Sequence, residues 1–260
     1  MPSNSIPADV IETFVRGHAT TKSRTHPYLV EQVDGLWVMR DAPRKSPSAD
    51  YRKEEWIVYG VPAEKVERVI RRESKGWYFI GAFVDAEECV ETIRDDFKAL
   101  GYRLLSSEFL FVHSLQRIPQ KKSFATVGRM KSKTQLLSYA QAARMRPMPE
   151  TVLETSSEWW HYLATVQLPQ DNDQSAPKIV GWVSSIKTDT NSHWVSNLVV
   201  QESFRRKGIG SALLAQMLRD DRKREAKTSV LLASHTGALV YPGLGYQQLG
   251  TLLIFAPKRK

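Results

Sequence analysis

Hydrophobic and polar positions along this chain fall into two rhythms, short β-rich runs and stretches of helical spacing. Leu36-Trp37-Val38-Met39, Trp56-Ile57-Val58-Tyr59 and Trp77-Tyr78-Phe79-Ile80 are runs of strand-forming residues. Between the second and third, Pro62 opens a stretch carrying Val66, Val69 and Ile70 at helical spacing, proline being suited to a first helical position. Asp85 is placed to cap a second helix ending near Leu100-Gly101, where glycine is a typical stop. Tyr102 to Leu115 reads as a long strand or a bent pair, and Ala42 to Ala49 as a loop of Pro, Ser and charge.

Ile118-Pro119-Gln120-Lys121-Lys122-Ser123 has the composition of a linker, and the alternation restarts after it. Phe124 to Val127 reads as strand and Ser132 to Arg144 as helix, followed by a turn at Pro147 and Pro149. His161 to Gln167, Ile179 to Ile186 and Trp194 to Val200 read as strands, with polar tips at Pro169–Pro177 and Thr188–Ser192. A helix from Ile209 to near Arg224, a strand from Ser229 to Ala233, a short helix or turn near Gly237 to Tyr241 and a strand from Gln248 to Phe255 complete the series. Both halves end in the order strand, helix, strand, helix, Leu-Gly-Tyr, strand, with Leu100-Gly101-Tyr102 and Leu244-Gly245-Tyr246 as equivalent steps. The pattern predicts two copies of one α/β unit, an N-terminal domain over 1–119 and a C-terminal domain over 124–260.

Composition narrows the class. The 260 residues are 42% hydrophobic and 25% charged, an ordinary globular balance that excludes a disordered chain or a fibre. No run approaches the roughly 18–20 apolar residues of a membrane-spanning helix. The first twenty residues hold Asp9, Glu12 and Arg16 without a secretory apolar block. Cys89 stands alone, so neither an internal disulfide nor a cysteine-cluster zinc site can form. A soluble, cytoplasmic protein with no metal and no membrane partner is expected. The formal charge of +9 fits nucleic acid, a small phosphorylated ligand or a solvated basic surface. Apart from Arg205-Arg206-Lys207 and Arg222-Lys223-Arg224 the basic residues are scattered, which disfavours a nucleic-acid footprint.

The stretch from Leu198-Val199-Val200 through Arg205-Arg206-Lys207-Gly208-Ile209-Gly210-Ser211 to Ala212-Leu213-Leu214 carries the chemistry. A strand enters a short turn, then a basic triplet, then two glycines at the mouth of an apolar helix. First-turn amides of a helix lack internal acceptors and lie at its positive end. Glycines without Cβ atoms let a pyrophosphate approach those amides. Taken alone, two glycines favour a tight strand-to-helix turn with a solvated basic corner. The whole stretch resembles the acetyl-CoA motif of the general-control-type N-acetyltransferases, the GNAT superfamily. Arg205, Gly208 and Gly210 fill its [Gln/Arg]-x-x-Gly-x-[Gly/Ala] core. The resemblance implies a mixed, mostly antiparallel sheet flanked by helices in two tandem modules. It also implies that amides from Arg206 through Lys207, Gly208, Ile209 and Gly210 to Ser211 cradle the CoA pyrophosphate. The backbone of Leu198, Val199 and Val200 would pair with the pantetheine arm like an added strand.

A second match follows at Ser234-His235-Thr236-Gly237-Ala238-Leu239-Val240-Tyr241-Pro242-Gly243-Leu244-Gly245-Tyr246. Tyr241 stands where the family's tyrosine lies, and the resemblance implies that its phenol protonates the departing CoA thiolate. Otherwise it is a packed core tyrosine. Pro242 and Gly243 depart from the family's helix formers, so the local helix should be short. His235 or Thr236 occupies the place of an asparagine that contacts CoA in many relatives. The N-terminal half has the rhythm without the glycines: Val61-Pro62-Ala63-Glu64 offers a proline and a carboxylate where phosphate would sit, so that half should wall the acceptor site rather than bind CoA.

The amine must reach the thioester unprotonated, so a base is needed. His193 is the first candidate, since histidine titrates near neutral pH; its other reading is an exposed hairpin residue. Glu154, Glu158 and His161 border the acceptor segment by resemblance, and Trp159, Trp160, Tyr162 and Trp182 either line that cleft or belong to the core. Cys89 reads as a buried small hydrophobe and His113 as a packed histidine. The expected enzyme moves an acetyl group from acetyl-CoA to a small-molecule or protein amine by direct attack. A non-catalytic acyl-CoA-binding regulatory module and an RNA-directed acyltransferase are the rivals, and a homodimer stays open.

Overall fold

Each half of the chain sets one parallel strand pair into an otherwise antiparallel sheet and joins that pair by a crossover helix. The computed structural model describes residues 5–45, 50–154, 156–167 and 177–258. The expected tip over Pro169–Pro177, save Pro177, and residues 46–49 of the Ala42–Ala49 loop lie outside them. In chain order the elements are α1 (Ala8–Lys22), β1 (Tyr28–Val33), β2 (Leu36–Asp41), β3 (Glu54–Tyr59), α2 (Ala63–Glu73), β4 (Tyr78–Asp85), α3 (Val90–Ala99) and β5 (Tyr102–His113). Then follow β6 (Thr126–Arg129), α4 (Lys133–Ala142), β7 (Trp159–Val166), β8 (Lys178–Lys187), β9 (His193–Val200), α5 (Ile209–Lys223), β10 (Ser229–Ala233) and β11 (Gln247–Pro257). Among the described residues no helix is long and apolar enough to cross a membrane.

The first compact unit takes Met1–Val112, Leu232–Leu239 and Gln247–Lys260. Its strands run β1-β2-β3-β4-β11-β5, with β3 and β4 parallel. Val66, Val69 and Ile70 of α2 and Phe97 of α3 pack on Val38, Trp56, Val58, Ile80 and Phe255. The periodicity of α2 encodes this face. The other face takes α1, whose Val10, Ile11, Phe14 and Val15 are buried and whose Phe14 meets Phe83 edge-on at 5.4 Å. Those four residues recur at helical spacing, a signal the sequence reading passed over along with β1.

β11 differs from the expected division at 119/124. It inserts between β4 and β5, antiparallel to both, so the last strand of the C-terminal half completes the N-terminal unit's sheet. Ladder hydrogen bonds on both edges hold it there. Gly250 makes this close fit: a Cβ would collide with the Val84 carbonyl and come within 2.7 Å of Ile6 Cδ1. Gly250→Ala is therefore expected to destabilise the fold by about 1–3 kcal/mol through overpacking. Urea unfolding checks this; an unchanged midpoint would mean that β11 does not dock so closely.

Two local expectations are corrected. Asp85 does not cap α3; its carboxylate accepts from the Tyr59 hydroxyl at 2.8 and 2.9 Å and from the Ile6 amide at 2.9 Å. Cys89 occupies the cap position instead and is exposed, its thiol 3.4 Å from Glu91 Oε2. With the helix beginning one residue later, Cys89 never joins an apolar stripe.

The second unit takes His113–Leu231 and Val240–Tyr246, with strand order β10-β9-β8-β7-β6. Met130, Leu136, Tyr139, Leu163, Ile179 and Trp182 form the core beneath α4. On the opposite face α5 buries Ile209, Leu213, Leu214, Met217 and Leu218. Gly181 of β8 allows this approach, since a Cβ there would lie 3.0 Å from the Val199 carbonyl and 3.2–3.3 Å from Leu213 and Ile209.

Candidate functional site

The strand leading into α5 loses its neighbour early. β9 pairs in parallel with β10 only at His193–Ser229 and Trp194–Val230. The equivalent ladder of the first unit, β3 with β4, runs through six pairs from Glu54–Tyr78 to Tyr59–Phe83. On its other edge β9 carries a bulge: Val199 faces Trp182 and Ser196 faces Ser184, so Asn197 and Leu198 together oppose Val183. Asn197 takes the left-handed conformation there, φ 56°. Leu198, Val199 and Val200 thus present main chain on an edge where the described residues supply no strand partner.

Past β9, the Gln201 amide returns to the Val180 carbonyl at 2.9 Å, and Arg205 Nε donates to the Val200 carbonyl at 3.1 Å. Arg205 therefore ties the turn to the end of its strand. Arg206 and Gly208 both have positive φ, 62° and 76°. Turns with left-handed residues can direct main-chain amides toward an anion. A non-glycine residue held left-handed at such a place is typical of a functional turn. Gly208 caps α5 with no side-chain hydrogen bond, and the first turn holds no acidic residue. The amides of Ile209, Gly210 and Ser211 are consequently left for an outside acceptor. A Cβ on Gly208 would point at the Lys122 carbonyl, 3.4 Å away, and one on Gly210 at Val200 Cγ2, 3.6 Å away. Lys207 Nζ donates to the Ser203 carbonyl at 3.2 Å and shares the ring of Phe204 with Lys178.

Tyr241 is buried, 7% exposed, between two 3-10 turns at Ala238–Val240 and Pro242–Leu244. Its carbonyl accepts from the amides of Leu244 and Tyr246, and its ring meets Tyr246 edge-on at 5.5 Å. Burial pushes the phenol up to about 12. The short helix expected from Pro242 and Gly243 is what the chain forms. Tyr246 is held by Ser229 Oγ at 2.9 Å. His113 packs on Tyr246 and bonds the Leu244 carbonyl at 3.0 Å, its imidazole lowered by burial. His235, from the first unit, is engaged by Ser107 at 2.9 Å and by the edge of Phe109.

His193 is placed differently from its exposed reading. It is 1% exposed, with Nδ1 2.9 Å from Asp221 Oδ1 on α5. Ser185 donates to the same oxygen at 2.8 Å, and Arg224 reaches it at 3.4 Å while bonding the Tyr162 hydroxyl at 3.0 Å. The imidazole points to the α5 face from the first residue of β9, roughly 15–23 Å of strand from Leu198–Val200. Trp160 stacks on His193 and Arg224 on that face, whereas Trp182 packs on Tyr139 across the sheet, so the aromatic residues serve two cores. Glu154 and Glu158 are exposed, and Glu158 lies 3.6 Å from Lys187. His161 is buried, with Nδ1 2.7 Å from Ser184 Oγ. Ser184 and Ser196 were absent from the sequence reading; small polar residues at alternate positions of otherwise apolar strands are the signal that marks them.

Residues 170–248 match the family model of the acetyltransferase (GNAT) domain. No curated protein matches the chain in sequence. Among solved structures it is similar to a GCN5-related N-acetyltransferase from Kribbella flavida, with 13% identity and TM-score 0.62 over 98% of each chain. A second, from Sphaerobacter thermophilus, aligns at 16% identity and TM-score 0.56 over 86% of this chain and 78% of the other. A tandem GNAT protein of the clavulanic acid biosynthesis pathway aligns at 12% identity and TM-score 0.50 over 96% of each. The chain therefore shares the fold of these N-acetyltransferase structures, mixed α/β with mostly antiparallel strands flanked by helices.

Proposed function

We propose that this chain is an N-acetyltransferase that moves an acetyl group from acetyl-CoA directly onto an amine, small-molecule or protein. The observation that carries the reading is the early end of the β9–β10 ladder, next to a bulge and upstream of an uncapped helix mouth. Exposed main chain at Leu198–Val200 suits the amide-bearing pantetheine arm, which can pair with it as a strand would. The amides from Arg206 to Ser211 suit a diphosphate, with Lys207 adding positive charge. Main-chain N–H groups near Val199 would stabilise the oxyanion of the tetrahedral intermediate. Tyr241, kept protonated by burial, would give its proton to the leaving thiolate. His193 has no part in this reading, because its ring is committed to Asp221 on the opposite face.

The first unit is proposed to bind no donor. Its parallel ladder is closed over six pairs, Pro62 at the head of α2 has no N–H, and Glu64 lies in the first turn.

Calorimetry tests the reading. Saturable CoA binding by the whole chain is expected, weakened at least about tenfold by Gly208→Asp, because it adds a negative charge at the helix mouth that would hold the diphosphate. Gly208→Asn, matched in size but uncharged, carries the same left-handed strain, so the affinity difference between the two variants reports charge. Absence of saturation by the unaltered chain at millimolar CoA would end the proposal.

A further inference from the structure

On the sheet face beneath α4, small polar groups stand side by side where apolar side chains would pack without cost. His161 on β7 faces Ser184 on β8, and Ser184 faces Ser196 on β9. His161 and Ser184 are buried and joined at 2.7 Å. Ser196 Oγ is also buried, and among the described residues nothing hydrogen-bonds it. Trp159 Nε1, two residues before His161 and on the same face, is in the same state. A buried polar atom left unpaired costs about 1–3 kcal/mol. Two of them beside one histidine mark a place that water or a ligand's polar group completes. Facing side chains on neighbouring strands lie about 4.5–5.5 Å apart at Cβ, a gap that one water bridges between Ser184 and Ser196. Ser196 immediately precedes Asn197, where the bulge begins to free the main chain.

We propose that His161 is the terminal acceptor of the proton that the amine substrate loses, reached through Ser184, with Ser196 holding the bridging water. The proposal rests on the acetyl-transfer reading. The bound ammonium gives one proton through that water to Ser184 Oγ, while the hydroxyl's own proton passes to His161 Nδ1. The nitrogen lone pair so released forms the C–N bond to the thioester carbonyl carbon, and the carbonyl π pair moves onto oxygen. Collapse restores C=O and breaks C–S; the thiolate takes the Tyr241 proton. The surplus proton on the new amide nitrogen returns to the tyrosinate, and His161 releases its proton to water. Tyr139 is the titratable side chain that α4 turns toward His161, at 5.7 Å between centroids, and Trp159 stacks on it at 5.2 Å.

Histidine 15N spectra of the whole chain give a readout independent of turnover. The resonance that disappears in His161→Gln should belong to the tautomer with Nδ1 unprotonated, accepting from Ser184; an Nδ1–H tautomer would overturn the relay. With acetyl-CoA and the best amine from a thiol-release screen, His161→Gln is expected to lower kcat about 10²-fold or more and abolish the acid limb of its pH profile, with CoA affinity unchanged. Ser184→Ala and Ser196→Ala delete only a hydroxyl and should each lower kcat, which keeps the test open if the glutamine variant does not fold. A surviving acid limb at full kcat in these variants overturns the relay and leaves acetyl transfer standing. No thiol release by the unaltered chain with any amine overturns both.

Discussion

Tyr241→Phe is expected to lower kcat about 10²–10⁴-fold, the range of a lost general acid, and to leave CoA affinity nearly unchanged. Phenylalanine keeps the ring that meets Tyr246 edge-on and the main chain that accepts from Leu244 and Tyr246. Only the hydroxyl is removed. Because burial raises this phenol to about 12, the folded protein keeps it protonated through the whole neutral range. A decline of kcat between pH 7 and 10 would therefore come from another group and should persist in the variant. Loss of Tyr241's own proton would begin only as pH nears about 12. Rapid-mix thiol release alongside CoA calorimetry separates the outcomes. Full turnover in the phenylalanine variant would return Tyr241 to the core. CoA binding with no turnover by the unaltered chain would favour a non-catalytic acyl-CoA module.

The elements that were legible in the sequence are those whose pattern is local. Strand runs, the α2 and α5 stripes, and the Gly208–Gly210 mouth all announce themselves within about ten residues, the span over which hydrophobic period acts. What long-range pairing decides was not legible. Nothing in Gln247–Pro257 indicates that its strand will sit between β4 and β5, because both partners lie more than a hundred residues earlier. The same holds for the bulge at Asn197, which exists only relative to the register of β8. His193 shows the limit most plainly. Its sequence neighbours Ser192 and Trp194 give no hint of Asp221, whose carboxylate arrives from the next helix and converts an apparent surface histidine into a core pair. Conversely, the resemblance placed His161 beside the acceptor segment, but only the register of β8 shows Ser184 opposite it.

Asp221→Asn is expected to cost about 3–5 kcal/mol of folding stability, the usual result of removing one member of a buried charged network. Asp221 is wholly buried, and one oxygen, Oδ1, serves Ser185, His193 and Arg224 while Oδ2 has no partner among the described residues. An amide there would turn either a second donor against these donors or leave the weaker neutral acceptor facing a guanidinium. Because the network is shielded from solvent, the loss should barely change with salt, unlike that of a surface pair. Chemical unfolding of Asp221→Asn, His193→Gln and the double variant closes a cycle; a coupling above about 0.5 kcal/mol assigns the cost to the pair itself. The same variants decide what His193 does. Normalised to folded protein, thiol release by His193→Gln should match the unaltered chain, since the ring faces α5 and not the bulge. A variant that stays folded and binds CoA but loses turnover and its acid limb would restore His193 as the base and displace His161 from that role.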